Sequence, residues 1–262
     1  MPLKIALSLA SLRQPLRSAV IMARQLGANA VEVEATGDLR PSQMTDTALR
    51  QLRKVLDDAD LRVCSVHFPT RRGFNDTDGL DRRISATKDA MRMAYQLRAP
   101  IVVNRIGVVP AEPDGPGWEL FLETLHDLAN HGDRVGSTFT ARTGSEDGST
   151  LAQLLSALPE GGIGVDFDPA SLIINNHSAS ESLQALGPYV RQLRARDGVR
   201  DFSQGRGVET PLGRGTADFP ALLGMLEDFG FQGYSTIDRE ESTDPVSEVK
   251  NAVAYLQNVA TG

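Results

Sequence analysis

The sequence predicts an α/β fold, a single-domain (β/α)8 TIM barrel. Two regularities and one absence carry that prediction. Short apolar runs alternate eight times with helical stripes along 262 residues, with no break in composition. Such alternation implies parallel strands, and eight βα units close into a barrel. Nearly every apolar run also ends in a polar residue, as expected where such barrels collect their chemistry. The alternative, an open doubly wound sheet, would carry a glycine-rich dinucleotide turn after strand one. Ser8-Leu9-Ala10-Ser11 stands there instead. One domain spanning 1–262 is expected, because α/β barrels reach this length as single units.

The elements follow in order. Leu3 to Leu9 is strand one, and apolar positions 16, 19, 20, 23 and 26 form a helical stripe closed by Gly27. Strand two is Ala30 to Val33, running on into Glu34, and a helix covers Thr45 to Ala59. Strand three is Leu61 to Val66, ending in His67-Phe68-Pro69, and a long helix runs from Leu80 to Leu97. Strand four, Ile101 to Val103, ends in Asn104-Arg105, and a Pro-rich loop leads to a helix from Trp118 to His131. Strand five is Ser137 to Arg142, with a short helix over Thr150 to Leu158. Strand six is Gly162 to Phe167, where Pro169 stops the extension, and Ser180 to Leu186 is a weak helix. Strand seven, Val190 to Ala195, precedes a long loop, Gly198 to Gly215, that could be a lid or a contact with a partner chain. A helix over Asp218 to Phe229, strand eight over Tyr234 to Ile237, and a helix from Pro245 to Leu256 complete the pattern.

Composition narrows the setting. With 40% apolar and 23% charged residues the chain is an ordinary globular protein. No apolar run approaches the roughly 18 residues of a membrane span, and the N-terminus enters a strand without a signal-peptide layout. Cys64 is the one cysteine, so no internal disulfide or sulfur metal site is available, and a cytoplasmic setting is expected. A net charge of −7 argues against nonspecific nucleic-acid binding, although Arg71-Arg72, Arg82-Arg83 and the arginines from 191 to 206 are clustered. The lysines are Lys4, Lys54, Lys88 and Lys250, at the start of strand one and on helices, which argues against Schiff-base catalysis in a barrel mouth.

The strand ends form one list of candidates. They are Ser8, Glu32, Glu34, His67, Asn104, Arg105, Arg142, Asp166, Asp168, Arg194, Arg196, Asp197 and Asp238. Strand alternation puts Asp166 and Asp168 on one face, with Phe167 on the other. The plainer reading of that pair is that one of them caps the next helix or pairs with an arginine.

The whole chain, most clearly its second half, resembles the xylose-isomerase-like barrels, which include sugar-phosphate isomerases and epimerases, tagatose and psicose epimerases, and AP endonuclease family 2. "VDFDPASL" resembles the strand-six Asp-Pro-Gly-His motif, and "VRQLRARDG" the strand-seven motif. "PLGRGTADFPALLGMLEDFGFQGYSTID" resembles the Leu-Gly-x-Gly stretch, its helix and Gly-x-x-x-Ile-Glu. "LGANAVEVE" and "LRVCSVHFP" resemble strands two and three. The resemblance implies a divalent metal held by Glu, Asp, His and Glu after strands five to eight. Here those positions are Arg142, Asp168, Arg194 and Asp238, and the motif's histidine is Ser171. Arginine cannot coordinate a cation.

No cofactor is therefore expected; Mn²⁺, Mg²⁺ or Zn²⁺ held by Asp168 and Asp238 is the alternative. Glu146 replaces the lost glutamate only if the alignment slips by four residues. Arg142 and Arg194 would pair with Asp168 and Asp238, as a plain salt-bridge network or as a grip on an anionic ligand. The resemblance also implies proton abstraction next to a carbonyl of a sugar, sugar phosphate or sugar acid. Glu34, Glu32 and Asp168 are candidate bases, since a shielded acid can have a raised pKa. His67 would polarise the carbonyl, and Asn104, Asp238 and the loop residue His177 would contact substrate. The other class of function is a non-catalytic barrel that binds a small anion or sugar. A zinc endonuclease needs more than the four histidines present. A homodimer paired through the helical ring is possible.

Overall fold

The structure, a computed structural model, describes residues 3–110, 113, 115–144, 146–159, 162–201 and 206–261. Eight parallel strands close into a barrel: β1 (Ile5–Ser8), β2 (Ala30–Glu34), β3 (Arg62–His67), β4 (Ile101–Asn104), β5 (Thr138–Arg142), β6 (Gly164–Phe167), β7 (Val190–Ala195) and β10 (Tyr234–Ile237). β10 closes the barrel against both β1 and β7. The remaining two strands, β8 (Asp197–Val199) and β9 (Val208–Thr210), form a separate antiparallel hairpin.

Around the barrel run α1 (Leu16–Gln25), α2 (Asp46–Asp58), α3 (Leu80–Gln96), α4 (Pro116–Val135), α5 (Gly148–Ser156), α6 (Pro169–Ile174), α7 (Ala179–Leu186), α8 (Phe219–Asp228) and α9 (Pro245–Thr261). Local chemistry sets their ends. Thr45, Asp147, Ser178 and Asp218 each accept a hydrogen bond from a backbone N–H of the first turn of α2, α5, α7 and α8. Gly136, at φ 80, ends α4 in the left-handed conformation that glycine adopts without strain.

The main apolar core lies between the strands' outward faces and the helices. Inside the barrel a small cluster of Ala6, Ala30 and Cys64, with Tyr234 against it, lies toward the lower end. Above it the interior turns polar. Two strand irregularities lie at that level: the β2–β3 register shifts between Val31 and Glu32, and the β6–β7 register between Val165 and Asp166. They set Glu32 opposite Ser65 and Asp166 opposite Gln192.

One helix was not foreseen, and one expectation needs correction. The stretch after strand six is helical at once: Asp168 caps α6 by accepting from the Ser171 N–H, and Pro169 sits in its first turn. Proline ends the strand there and starts the helix. The long Gly198–Gly215 loop carries the β8–β9 hairpin, with residues 202–205 outside the described residues. Its return path is fixed by Asp197, whose carboxylate accepts from the backbone N–H groups of Gly198, Gly213, Gly215 and Ala217. Gly215 is required there, since a Cβ would fall 2.0 Å from the Asp197 carboxylate.

Candidate functional site

The C-terminal mouth of the barrel holds two linked clusters of charge. In the first, Arg194 is fully buried and every guanidinium nitrogen is engaged. Its Nε donates to Asp166 at 2.7 Å, Nη1 to Glu32 at 2.8 Å and Asp238 at 2.9 Å, and Nη2 to Glu32 at 2.7 Å. Ser65 and Gln192 also donate to Glu32, and Gln192 donates to Asp166. In the second, Asp168 accepts from Arg142 Nε at 2.9 Å, Arg142 Nη2 at 2.7 Å, Arg196 Nη1 at 2.7 Å and the Ser171 hydroxyl at 2.8 Å. Arg142 Nη2, 3.7 Å from Asp238, links the two.

A cover closes over the second cluster. Glu209, on β9, lies 2.9 Å from Arg196 Nε. Glu240, on the loop after β10, bridges Arg142 at 2.9 Å and Arg196 at 3.0 Å. Glu240 is the half-exposed member of this group; Arg142, Arg196 and Asp168 are buried.

These contacts set the charge states. Burial works to raise the Glu32 carboxyl, but Arg194 outweighs it and the pKa falls to about 2. Burial is likewise overcome at Asp168, by Arg196 and Arg142, and at Asp238, chiefly by Arg194; both lie well below the usual range. At Asp166 burial wins over Arg194 and the carboxyl is raised. The expectation of a raised base among Glu32, Glu34 and Asp168 is thus overturned. Glu34 too is lowered, first by its hydrogen bond with His67.

Glu34 and His67 stand at the edge of this network. His67 Nδ1 lies 3.5 Å from Glu34 Oε2, both side chains are partly exposed, and Thr36 donates to Glu34 Oε1 at 2.8 Å. Asn104 is buried, and its amide is spent on the loop after β3: Oδ1 accepts from Thr70 N and Arg105 N, and Nδ2 donates to Thr70. His177 lies apart from the mouth, in a cleft between α7 and α8 with Arg200 and Asp218. Cys64 is buried with its thiol pushed up to about 12, which fits a packed residue.

Of the residues named from sequence, the structure brings together Glu32, Arg142, Asp168, Arg194 and Asp238, with Glu34 and His67 beside them. The predicted pairing of Arg142 with Asp168 and Arg194 with Asp238 is present. Asp168 does both plainer jobs at once, capping α6 and pairing with arginines. Arg196 stood among the strand ends without a role, and Asp166 only as the same-face neighbour of Asp168. Alternation could have assigned them, since Arg194 and Arg196, like Asp166 and Asp168, are two apart. Gln192, Glu209 and Glu240 were missed; the last two sit on a hairpin and a loop, where no periodic signal points to them.

The residues do not fit the divalent metal that the resemblance implies. Guanidinium groups stand at two of the four ligand positions, and their nitrogens fill the space around both remaining carboxylates. Among the described residues no group of three or more His, Cys, Asp or Glu is arranged to hold a metal ion. No helix among them is long and apolar enough to cross a membrane.

A sequence model of the xylose isomerase-like TIM barrel family matches residues 20–259. No curated protein sequence matches significantly. Among solved structures, a xylose isomerase domain protein from Planctomyces limnophilus is 24% identical, with TM-score 0.85 over 100% of this chain and 96% of that one. A xylose isomerase-like TIM barrel protein from Mycobacterium smegmatis, in complex with magnesium, is 16% identical with TM-score 0.79, covering 99% and 97%. D-psicose 3-epimerase with D-tagatose, from Clostridium cellulolyticum H10, is 14% identical with TM-score 0.78, covering 98% and 99%. At these identities the likeness establishes the fold.

Proposed function

The chain belongs to the xylose isomerase-like TIM barrel family, and from that premise we propose that it is a sugar isomerase- or epimerase-like protein that moves a proton next to a carbonyl without a divalent metal. One observation carries this reading. The Glu34–His67 pair is an acid–base pair at the mouth that no arginine among the described residues ties down, and it stands beside the buried Glu32–Arg194 pair. Glu34 is ionised at neutral pH and open to a substrate C–H. With Nδ1 turned to Glu34, His67 donates to the substrate oxygen from Nε2 in its imidazolium form, in which both ring nitrogens carry a proton. The negative charge that develops on that oxygen is met by this same donor, since the arginines of the mouth are already engaged by carboxylates, and a preorganised donor in a dry site is effective at this. A small sugar, sugar phosphate or sugar acid is the substrate class. The structural neighbours named as epimerases support this reading.

The test is exchange of solvent deuterium into keto-sugars and keto-acid sugars, followed by NMR. Exchange is expected in the presence of EDTA, and Glu34→Gln should slow it at least ~100-fold, the usual worth of a positioned base. Exchange that requires added Mn²⁺ would overturn the metal-free part.

A second reading is a non-catalytic binding barrel. Its own observation is that Glu32, Asp168 and Asp238 are all locked to guanidinium groups. Ligand binding with no exchange over the whole sugar panel would favour it.

A further inference from the structure

We propose that a second site, a cleft on the rim of the barrel between the loops after β2 and β3 and the start of α3, binds a phosphate ester. The cleft has a volume of about 460 Å³, within the range of small-molecule sites. Five arginines line it, Arg40, Arg71, Arg72, Arg82 and Arg83, against two aspartates, Asp78 and Asp89. This excess sits in a chain of net charge −7.

Both aspartates are already committed. Asp78 holds Arg72 at 2.7 Å, and Asp89 pairs with Arg92, outside the cleft. Arg83 is anchored to the backbone carbonyls of Asp76 and Asp78, and its Nε is buried without a partner among the described residues. Arg40, Arg71 and Arg82 form no ion pair with a described residue. Uncompensated guanidinium groups around one hollow repel each other, and a dianion relieves that repulsion. Guanidinium also matches phosphate geometry with paired N–H donors.

The rest of the lining calls for an organic part on the ligand. Ala35, Phe68, Pro69 and Ala86 give the cleft an apolar wall. A bare phosphate would leave most of the volume and this wall uncovered. The cleft also touches the mouth through Thr36, which lines it and donates to Glu34. Binding here stands independently of the proposed chemistry at Glu34.

Isothermal titration of the full chain with fructose 6-phosphate, AMP, inorganic phosphate and unphosphorylated fructose tests the assignment. At least one ester is expected to bind, more tightly than inorganic phosphate, with affinity falling as salt rises. The ester that binds tells a sugar from a nucleoside as the organic part. Arg40→Gln/Arg82→Gln, a change to two exposed side chains, should weaken it at least tenfold, and Arg82→Lys in place of Arg82→Gln should recover part of the loss. Circular dichroism confirms that the variants fold. Failure of both esters to bind, or equal binding by the double glutamine variant, overturns the site. Loss of deuterium exchange in Glu34→Gln with ester binding intact separates this site from the proposed reaction.

Discussion

Arg194 is the fully buried cation of the mouth. It faces Glu32, Asp166 and Asp238 together. Removing the cation leaves buried carboxylates without a counter-charge, a change that costs about 3–5 kcal/mol in other proteins. Arg194→Met is therefore expected to lower unfolding stability by about that much at pH 7, measured by urea titration, while Arg24→Ala on the surface pair with Asp60 costs about 1 kcal/mol or less. Glu146 makes the opposite case. One oxygen of its carboxyl is buried without a partner among the described residues, and burial pushes its pKa up from 4.5 to about 7. Folding favours its protonated form, so stability is lost as pH rises from about 4.5 through about 7. Glu146→Gln mimics the neutral form. The variant should match the parent below pH 4.5 and exceed it above pH 7 by on the order of 3 kcal/mol at most, read from urea midpoints across pH.

At the scale of elements, the β8–β9 hairpin works as a brace. Glu209 lies within ion-pair distance of Arg196 and Arg239 and accepts from the backbone N–H groups of Glu240 and Glu241. The hairpin thus holds the loop after β10, and with it the Glu240 carboxylate over Arg142. Glu209→Gln should free that loop: amide hydrogens of Glu240 and Glu241 are expected to exchange at least ~10-fold faster, while those in β7 keep their protection. This brace was not legible in the sequence, whereas the barrel was. Apolar runs and stripes state a period, and period alone gave strands β7 and β10 the bounds that the structure shows. Hairpin pairing depends on Asp197 gathering distant glycines, and no local pattern announces it. The site divides the same way. Arg142, Asp168, Arg194 and Asp238 could be named because strand ends share a rim. Glu209 and Glu240 arrive from loops, and the pKa values of the acids depend on which guanidinium reaches which oxygen.

At the scale of the whole molecule, the mouth network ties together β2, β5, β6, β7 and β10 through Glu32, Arg142, Asp166, Arg194 and Asp238. These strands are otherwise joined by backbone pairing with nearest neighbours. Because the network is buried, dissolved salt does not screen it as it screens surface pairs such as Lys54–Asp58. Protons do reach it, since unfolding releases the carboxylates to water. Glu32, Asp168 and Asp238 all have folded values below their ordinary ones, so their contribution is full above about pH 4.5 and is lost as pH falls toward 2 and below. Two outcomes follow from one cause. Raising NaCl to about 1 M at pH 7 should change the unfolding free energy by about 1 kcal/mol or less, as expected when only exposed pairs are weakened. Lowering pH from 5 to 2 should remove several kcal/mol, with far- and near-ultraviolet circular dichroism lost together, because the acids that titrate join strands around the whole barrel. A large salt effect at neutral pH, with little loss in acid, would mean that the surface pairs and not the mouth hold the fold.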